Sequence, residues 1–151
     1  MKYKPLTKEQ LSKIIYDATY PLGLYSKAVL NLLLATCAQE SHFGTYRRQI
    51  HGPAVGIFQI EPATFNWLKG KYREKYPVVE QYQIDDLEFD DQASAMFARL
   101  RYYAYYQPLP NADDLEGLWK YYKRVYNTFK GAATKEEFMR NWERFVTGTI
   151  K

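Results

Sequence analysis

The sequence predicts a mainly α-helical single domain with about six helices and one small loop or β lobe. Apolar residues recur at helical spacing in six stretches, and residues that can cap a helix precede several of these stretches. Between residues 44 and 62, glycine and proline are too frequent for a helix, so we expect the lobe there. At 151 residues, the chain has the length of one ordinary domain with a single hydrophobic core.

Two helices are predicted in the first third of the chain. Thr7 and Gln10 form a capping box, and the apolar residues after them predict a helix over residues 8–18. A second helix is expected to begin near Ser26. Its side chains are apolar nearly all round, as in a central buried helix, and its far end presents Glu40.

The middle of the chain is expected to hold the lobe and a short helix. The stretch from Val55 to Ile60 is apolar and brief, which predicts a strand or an extended loop. Pro62 suits the first turn of a helix, and Gly70 suits its C-terminal stop. Residues 71–85 are predicted to form a charged loop that carries tyrosines.

Three further helices are predicted in the second half. The first follows Asp90 and Asp91 and is closed by Pro108 and Pro110. The last two helices each begin at a predicted capping box. The first box is Asp113 with Glu116, and the second is Thr134 with Glu137.

Composition and charge narrow the class of protein. The 46% apolar share is that of a globular chain, and the formal charge of +4 favours encounter with a polyanion such as a bacterial wall or a nucleic acid. The one cysteine, Cys37, excludes an intramolecular disulfide and lies in an apolar run, which predicts a buried thiol. The longest apolar run, residues 28–38, is shorter than the ~20 residues that span a bilayer.

Glu40 has the sequence surroundings of a catalytic acid. Cleavage of a glycosidic bond needs a carboxylic acid that keeps its proton near neutral pH, and proteins achieve this by placing the group in apolar surroundings. Glu40 follows a mostly apolar helix, and the negative end of the helix dipole raises the pKa of a carboxyl at this position. The alternative interpretation is a helix-terminal glutamate that simply meets solvent.

Gln59 is a polar residue inside an apolar stretch. Strand alternation would place its side chain on the face opposite Phe58 and Ile60, so it would reach into a cleft while they pack the wall.

Together, these segments resemble the soluble lytic transglycosylases and the goose-type lysozymes. Those families share Glu-Ser, a glycine-containing loop, Gly-x-x-Gln with an apolar residue after it, a Pro-x-Thr helix start, and an aromatic-Asn pair with a glycine soon after. The corresponding residues here are Glu40-Ser41, Gly44, Gly56-Ile57-Phe58-Gln59-Ile60, Pro62-Ala63-Thr64, and Val125-Tyr126-Asn127-Thr128 with Gly131. Order and spacing agree across most of the chain.

The resemblance implies a lysozyme-like domain that cleaves the β-1,4 bond between N-acetylmuramic acid and N-acetylglucosamine in peptidoglycan. It implies that Glu40 protonates the leaving oxygen and that Ser41 orients the acid or binds substrate. Gln59 would hydrogen-bond the sugar or its acetamido group, and Tyr126 with Asn127 would position the carboxyl and the N-acetyl carbonyl. Two structural alternatives stay open, with Ser41 as a plain C-cap and Tyr126 as a core aromatic.

The resemblance leaves two outcomes of cleavage open. Glu61 stands two places after Gln59, where some goose-type lysozymes carry an Asp, so it could activate water in an inverting hydrolysis. Residues 44–55 contain no Asp or Glu, which removes the other carboxylate of those lysozymes. This departure favours a lytic transglycosylase, in which the 6-hydroxyl of the sugar closes a 1,6-anhydro ring.

Location and partners are also predicted. The charged start lacks the apolar segment of a signal peptide, so we expect a soluble protein made in the cytoplasm. A wall-degrading enzyme with neither export signal nor disulfide suits a bacteriophage, either as an endolysin or as a virion-borne enzyme. We expect a monomer that binds peptidoglycan glycan strands, without membrane insertion, nucleic acid or cofactor.

Two other functions compete with the enzyme interpretation. Basic and aromatic residues interleave in Lys120 to Lys130, as in single-stranded nucleic-acid binders, and a catalytically silent glycan-binding module is the other alternative. The tyrosines of the second half could be stacking platforms for sugars or could serve packing. His42 and His51 lack the neighbouring ligands that would complete a metal site, so no metal is predicted.

Overall fold

Six α-helices, together with short 3-10 and π-helical segments, make up most of the described residues. The computed structural model describes residues 1–127 and 131–151, and it confirms the predicted mainly α fold. In the described parts of the chain, no helix is long and apolar enough to cross a membrane. The helices are α1 (Lys8–Thr19), α2 (Lys27–Ser41), α3 (Pro62–Tyr72), α4 (Asp91–Tyr103), α5 (Leu115–Tyr122) and α6 (Lys135–Asn141).

Helix α2 lies at the centre of the fold. The Ser26 hydroxyl caps its first turn, and nearly every residue from Val29 to Ala38 is buried. Helices α1, α4, α5 and α6 all pack against α2, which agrees with its predicted central position. Cys37 is fully buried, as predicted, and burial raises the pKa of its thiol well above the ordinary range.

Several predicted helix boundaries need correction. Helix α3 continues two residues beyond Gly70, which is therefore not its stop. The N-cap of α5 is Asp114 rather than Asp113, because the Asp114 carboxylate accepts from the Gly117 N–H. The capping box of Thr7 and Gln10 and the Thr134 cap are confirmed.

Short helical segments join the α-helices. The predicted loop over residues 71–85 instead contains the 3-10 helix Pro77–Gln81 and the start of a second one, Ile84–Glu88. Helices α5 and α6 each continue as a π-helical turn, over Lys123–Asn127 and Trp142–Thr147. The first of these turns brings the Tyr126-Asn127 pair onto the continuation of α5.

The predicted lobe follows α2. Within the described residues it contains isolated antiparallel bridges, Arg48 with Val55 and Val55 with Ile60, rather than an extended strand. Val55 and Ile60 exchange two backbone hydrogen bonds of 3.0 Å, which closes a tight turn between them. This segment is named the 55–60 turn.

An ion pair attaches the lobe to the start of α4. The Arg47 guanidinium lies 2.6 Å from the Asp91 carboxylate, and it also donates to the Glu88 carbonyl at 2.8 Å. Both partners are largely buried, so removal of one would leave the other charge without compensation.

Gly56 allows the closest approach between the 55–60 turn and the rest of the fold. Its φ is +85°, and a Cβ there would overlap the Leu87 carbonyl oxygen and lie 2.8 Å from the Ser94 hydroxyl. Gly23 also has a positive φ, +73°, but no atom lies within 4 Å of a Cβ at that position.

These two glycines make a matched pair for a stability test. We expect Gly23→Ala to lower the free energy of unfolding by about 1 kcal/mol, the cost of the left-handed backbone. Gly56→Ala should lower it by about 2–4 kcal/mol, because steric overlap adds to the same backbone cost. Urea denaturation of both variants measures the difference, and equal losses would contradict the close approach.

Candidate active site

Glu40 lies in the last turn of α2, where the sequence predicts it. The helix ends just beyond it because His42 and Phe43 adopt left-handed conformations, with φ of +49° and +57°, and Gly44 follows at +90°. The chain therefore turns away and leaves the Glu40 side chain at the mouth of a cleft. The side chain is partly buried, which excludes the alternative of a fully solvated helix end.

A tyrosine holds the Glu40 carboxyl. The Tyr122 hydroxyl, at the end of α5, donates a short hydrogen bond to Oε2 of Glu40. Tyr122 is buried, so its hydroxyl hydrogen-bonds the carboxyl in a largely water-free position. Burial and the nearby carboxyl raise the pKa of Tyr122 well above its ordinary range, and the phenol therefore stays a donor.

Burial raises the pKa of Glu40 to about 7. The hydrogen bond from Tyr122 and the positive charge of Arg101 lower this pKa, while the negative charge of Glu61 raises it. Desolvation is the largest of these influences. The carboxyl is consequently protonated in a large fraction of molecules at neutral pH, as a general acid requires.

An open cleft of about 440 Å³ surrounds the carboxyl. Five of the six predicted site residues line it, together with the glycine of the aromatic-Asn motif and four residues that the sequence did not single out. The predicted residues are Glu40, Gln59, Glu61, Tyr126 and Asn127, and the others are Gln49, Ala54, Arg101, Gly131 and Ala132.

The Gln59 side chain faces the cleft, but the residue lies in a turn and not in a strand. It has a φ of +49° at the end of the 55–60 turn, and its Nε2 donates to the Gly56 carbonyl at 2.9 Å. Phe58 and Ile60 are fully buried, as predicted. The predicted direction of the side chain is confirmed, but a left-handed residue in a turn produces it.

Ser41 does not reach the cleft, which corrects its predicted role in substrate binding. The residue is 1% exposed, and its hydroxyl donates to the Ile57 carbonyl at 2.6 Å and accepts from the Gly44 N–H at 2.9 Å. Ser41 therefore ties the end of α2 to the 55–60 turn, and it positions Gln59 only through the backbone.

Tyr126 also supports the turn. Its buried hydroxyl donates to the Phe58 carbonyl at 2.5 Å, and Arg101 covers its ring with the guanidinium carbon 4.4 Å from the ring centroid. The sequence analysis expected Tyr126 to position the Glu40 carboxyl, but the hydrogen bond to this carboxyl comes from Tyr122. Tyr126 contributes part of the cleft wall.

A lysine holds the Asn127 side chain, which lines the cleft. Lys123 donates to Asn127 Oδ1 at 2.7 Å and to the Gly131 carbonyl at 2.9 Å. A Cβ at Gly131 would collide with the Asn127 side chain, so the glycine of this motif leaves room for the amide. Thr128, also quoted in that motif, lies outside the described residues, as does Lys130 of the basic stretch.

Sequence reasoning missed two residues of the site. Tyr122 stands one helical turn before Tyr126, so both lie on the same side of the α5 continuation, and that i, i+4 spacing was the available signal. Arg101 carried no sequence signal, because its approach to Tyr126 depends on the packing of α4. Its Nη2 donates to the Tyr126 carbonyl at 2.8 Å.

The described residues contain no group of three His, Cys, Asp or Glu side chains that could hold a metal ion. His42 stacks on Phe145 with the ring centroids 5.2 Å apart, and it does not line the cleft.

Comparison with protein-family models, with curated proteins and with solved structures finds no match to this chain. The family resemblance therefore rests on the sequence motifs and stays a prediction.

The hydrogen bond from Tyr122 leads to a prediction about titration. Tyr122→Phe removes a donor that favours the charged form, so the pKa of Glu40 should rise above about 7. Tyr121→Phe is the control, because the Tyr121 hydroxyl donates to the Gln107 carbonyl instead. Carbon-13 NMR titration of the glutamate carboxyls measures both, and an unchanged or lowered pKa in Tyr122→Phe would refute the assignment.

Proposed function

We propose that this protein cleaves the β-1,4 bond between N-acetylmuramic acid and N-acetylglucosamine in peptidoglycan, with Glu40 as general acid. The observation that carries the proposal is a glutamate with its pKa raised to about 7, opening onto a cleft beside Gln59 and Asn127. A raised carboxyl pKa is the property that glycoside cleavage requires of its acid.

The cleft lining supports a polar, N-acetylated sugar as substrate. Gln49, Gln59 and Asn127 bring amide groups to the cleft, and amides can both donate to and accept from acetamido and hydroxyl groups. The Nε2 of Gln59 is committed to Gly56, which fixes the amide orientation. These side chains need little reorganisation to bind a sugar.

The favoured reaction is that of a lytic transglycosylase. The Glu40 proton passes to the leaving glycosidic oxygen as the C1–O bond breaks, and positive charge develops at C1 of the muramic acid residue. The 6-hydroxyl of the same sugar then bonds to C1 and returns its proton to the Glu40 carboxylate. No water is consumed, and one product ends in a 1,6-anhydro ring.

Hydrolysis remains a second candidate because of one specific observation. Glu61 is exposed and lines the same cleft as Glu40. A carboxylate there can take a proton from water that attacks C1, and the product then carries a free reducing end.

The first test of the proposal is the variant Glu40→Gln. Loss of the transferable proton should lower the rate of peptidoglycan cleavage by at least about 10²-fold. Because burial disfavours the carboxylate, the neutral amide should also make the protein more stable above pH 7, by up to roughly 3 kcal/mol.

The pH dependence gives the sign of that stability change. A folded pKa above the unfolded value means that the wild type loses stability as pH rises from about 4.5 to about 7, and the variant lacks this loss. Glu74→Gln, at an exposed site outside the cleft, is the control and should change neither property. Wild-type activity in Glu40→Gln would remove Glu40 from the mechanism.

Product analysis distinguishes the two outcomes of cleavage. Mass spectrometry of digested peptidoglycan should show muropeptides lighter by one water than hydrolytic products, and Glu61→Gln should leave both the product type and most of the rate unchanged. Hydrated reducing ends, together with a large loss of rate in Glu61→Gln, would instead establish a hydrolysing muramidase.

A further inference from the structure

A second pocket, of about 650 Å³, lies on the side of α4 that faces away from the cleft. Arg99 lines this pocket and Arg101 lines the cleft. Two residues along a helix differ in direction by about 200°, which explains why neighbouring arginines serve opposite sides. No described residue lines both spaces. The second space is named the Arg99 pocket.

Arg99 is a buried cation without an acidic partner. The residue is 9% exposed, and its Nε donates to the Leu24 carbonyl at 2.8 Å. Among the described residues, no carboxylate lies within ion-pair distance of its guanidinium. A buried charge is costly unless it is paired, and arginine cannot lose its proton to escape that cost.

The other groups around the pocket add positive charge. Lys71 also lines it, and the described lining includes neither Asp nor Glu. Lys75 contributes a third cation nearby, with its Nζ 2.6 Å from the Tyr103 hydroxyl. The titratable groups whose charge would offset that of Arg99 are tyrosine hydroxyls, which are neutral at physiological pH. The pocket is therefore complementary to a negative group.

Tyrosine rings surround these cations. Tyr72, Tyr103, Tyr105, Tyr106 and Tyr121 all line the pocket, and Tyr106 is 85% exposed. The Arg99 guanidinium carbon lies 5.6 Å from the centroid of the Tyr103 ring, and both residues line the pocket. Aromatic walls with a few convergent polar groups are typical of ligand pockets.

We propose that the Arg99 pocket binds the oxyanion, a carboxylate or a phosphate, of a glycan chain whose sugar rings pack on the surrounding tyrosines. The oxyanion is inferred from the unpaired guanidinium, while the choice of a glycan rests on the proposed function. The pocket would then hold an anionic wall polymer at a distance from the cleft in which Glu40 acts. Carboxylate-bearing and phosphate-bearing polymers share the chemistry that Arg99 recognises.

Direct binding of defined probes tests the site without any need for cleavage. The probes are a glucuronate-containing oligosaccharide, a phosphodiester-linked oligosaccharide, neutral chitotetraose and oligothymidylate, each titrated into the full chain by calorimetry. We expect at least one of the two anionic probes to bind outside the cleft, with affinity that falls as salt rises. Which of them binds more tightly identifies the source of the oxyanion.

Variants locate the bound probe. Arg99→Gln should weaken anion binding by about tenfold or more, because a charge-assisted, bidentate contact is lost. Lys71→Gln and Tyr106→Ala change exposed residues and keep the test decisive if Arg99→Gln fails to fold, and each should weaken binding severalfold. Lys8→Gln, an equal change of charge at an exposed site outside the pocket, should leave binding unchanged.

Three results would overturn the proposal. In the first, neither anionic probe binds the wild type. In the second, the pocket variants bind the probe as tightly as Lys8→Gln does, and in the third, oligothymidylate binds more tightly than both anionic glycans. These results differ from the results that would contradict the proposed function. The Glu40→Gln protein should bind the anionic probe as the wild type does, whereas a wild type that cleaves peptidoglycan and binds no anion would refute the Arg99 pocket alone.

Discussion

The candidate site depends on a carboxyl group that the fold keeps partly out of water. Helix α2 is apolar because it forms the centre of the core, and Glu40 stands where that helix leaves the core. Desolvation there favours the protonated acid, while Tyr122 and Arg101 favour the carboxylate. The opposition of these influences keeps the pKa near 7, so that the same group can donate a proton and later accept one.

The 55–60 turn is held by hydrogen bonds to three consecutive carbonyls. Gln59 donates to the carbonyl of Gly56, Ser41 to that of Ile57, and Tyr126 to that of Phe58. The donors come from the turn itself, from α2 and from the continuation of α5. Two separate segments and one side chain of the turn itself therefore hold this short loop, which presents a left-handed Gln59 to the cleft.

The sequence predicted the helices and most of the site, and the misses have physical causes. Caps and apolar periodicity located α1 and α2 closely because both are local signals. The role of Ser41 could not be decided from the sequence, because the hydroxyl of a serine after a helix-terminal glutamate can point either into a cleft or toward the backbone behind it. Tyr122 and Tyr126 share a helix face, so only the packing of α5 against α2 decides which hydroxyl meets the carboxyl.

Helix α4 shows how position decides what an arginine does. The Arg101 guanidinium interacts with groups of the candidate site. It covers the Tyr126 ring, donates a hydrogen bond to the Tyr126 carbonyl and lowers the pKa of Glu40. Among the described residues, no carboxylate lies within ion-pair distance of Arg99, although Arg99 is the more buried of the two. A buried charge without a partner is costly, so packing alone does not require an arginine at residue 99. An external anion therefore explains the unpaired guanidinium among tyrosines better than packing does. Part of the excess of four positive charges then lies at the Arg99 pocket.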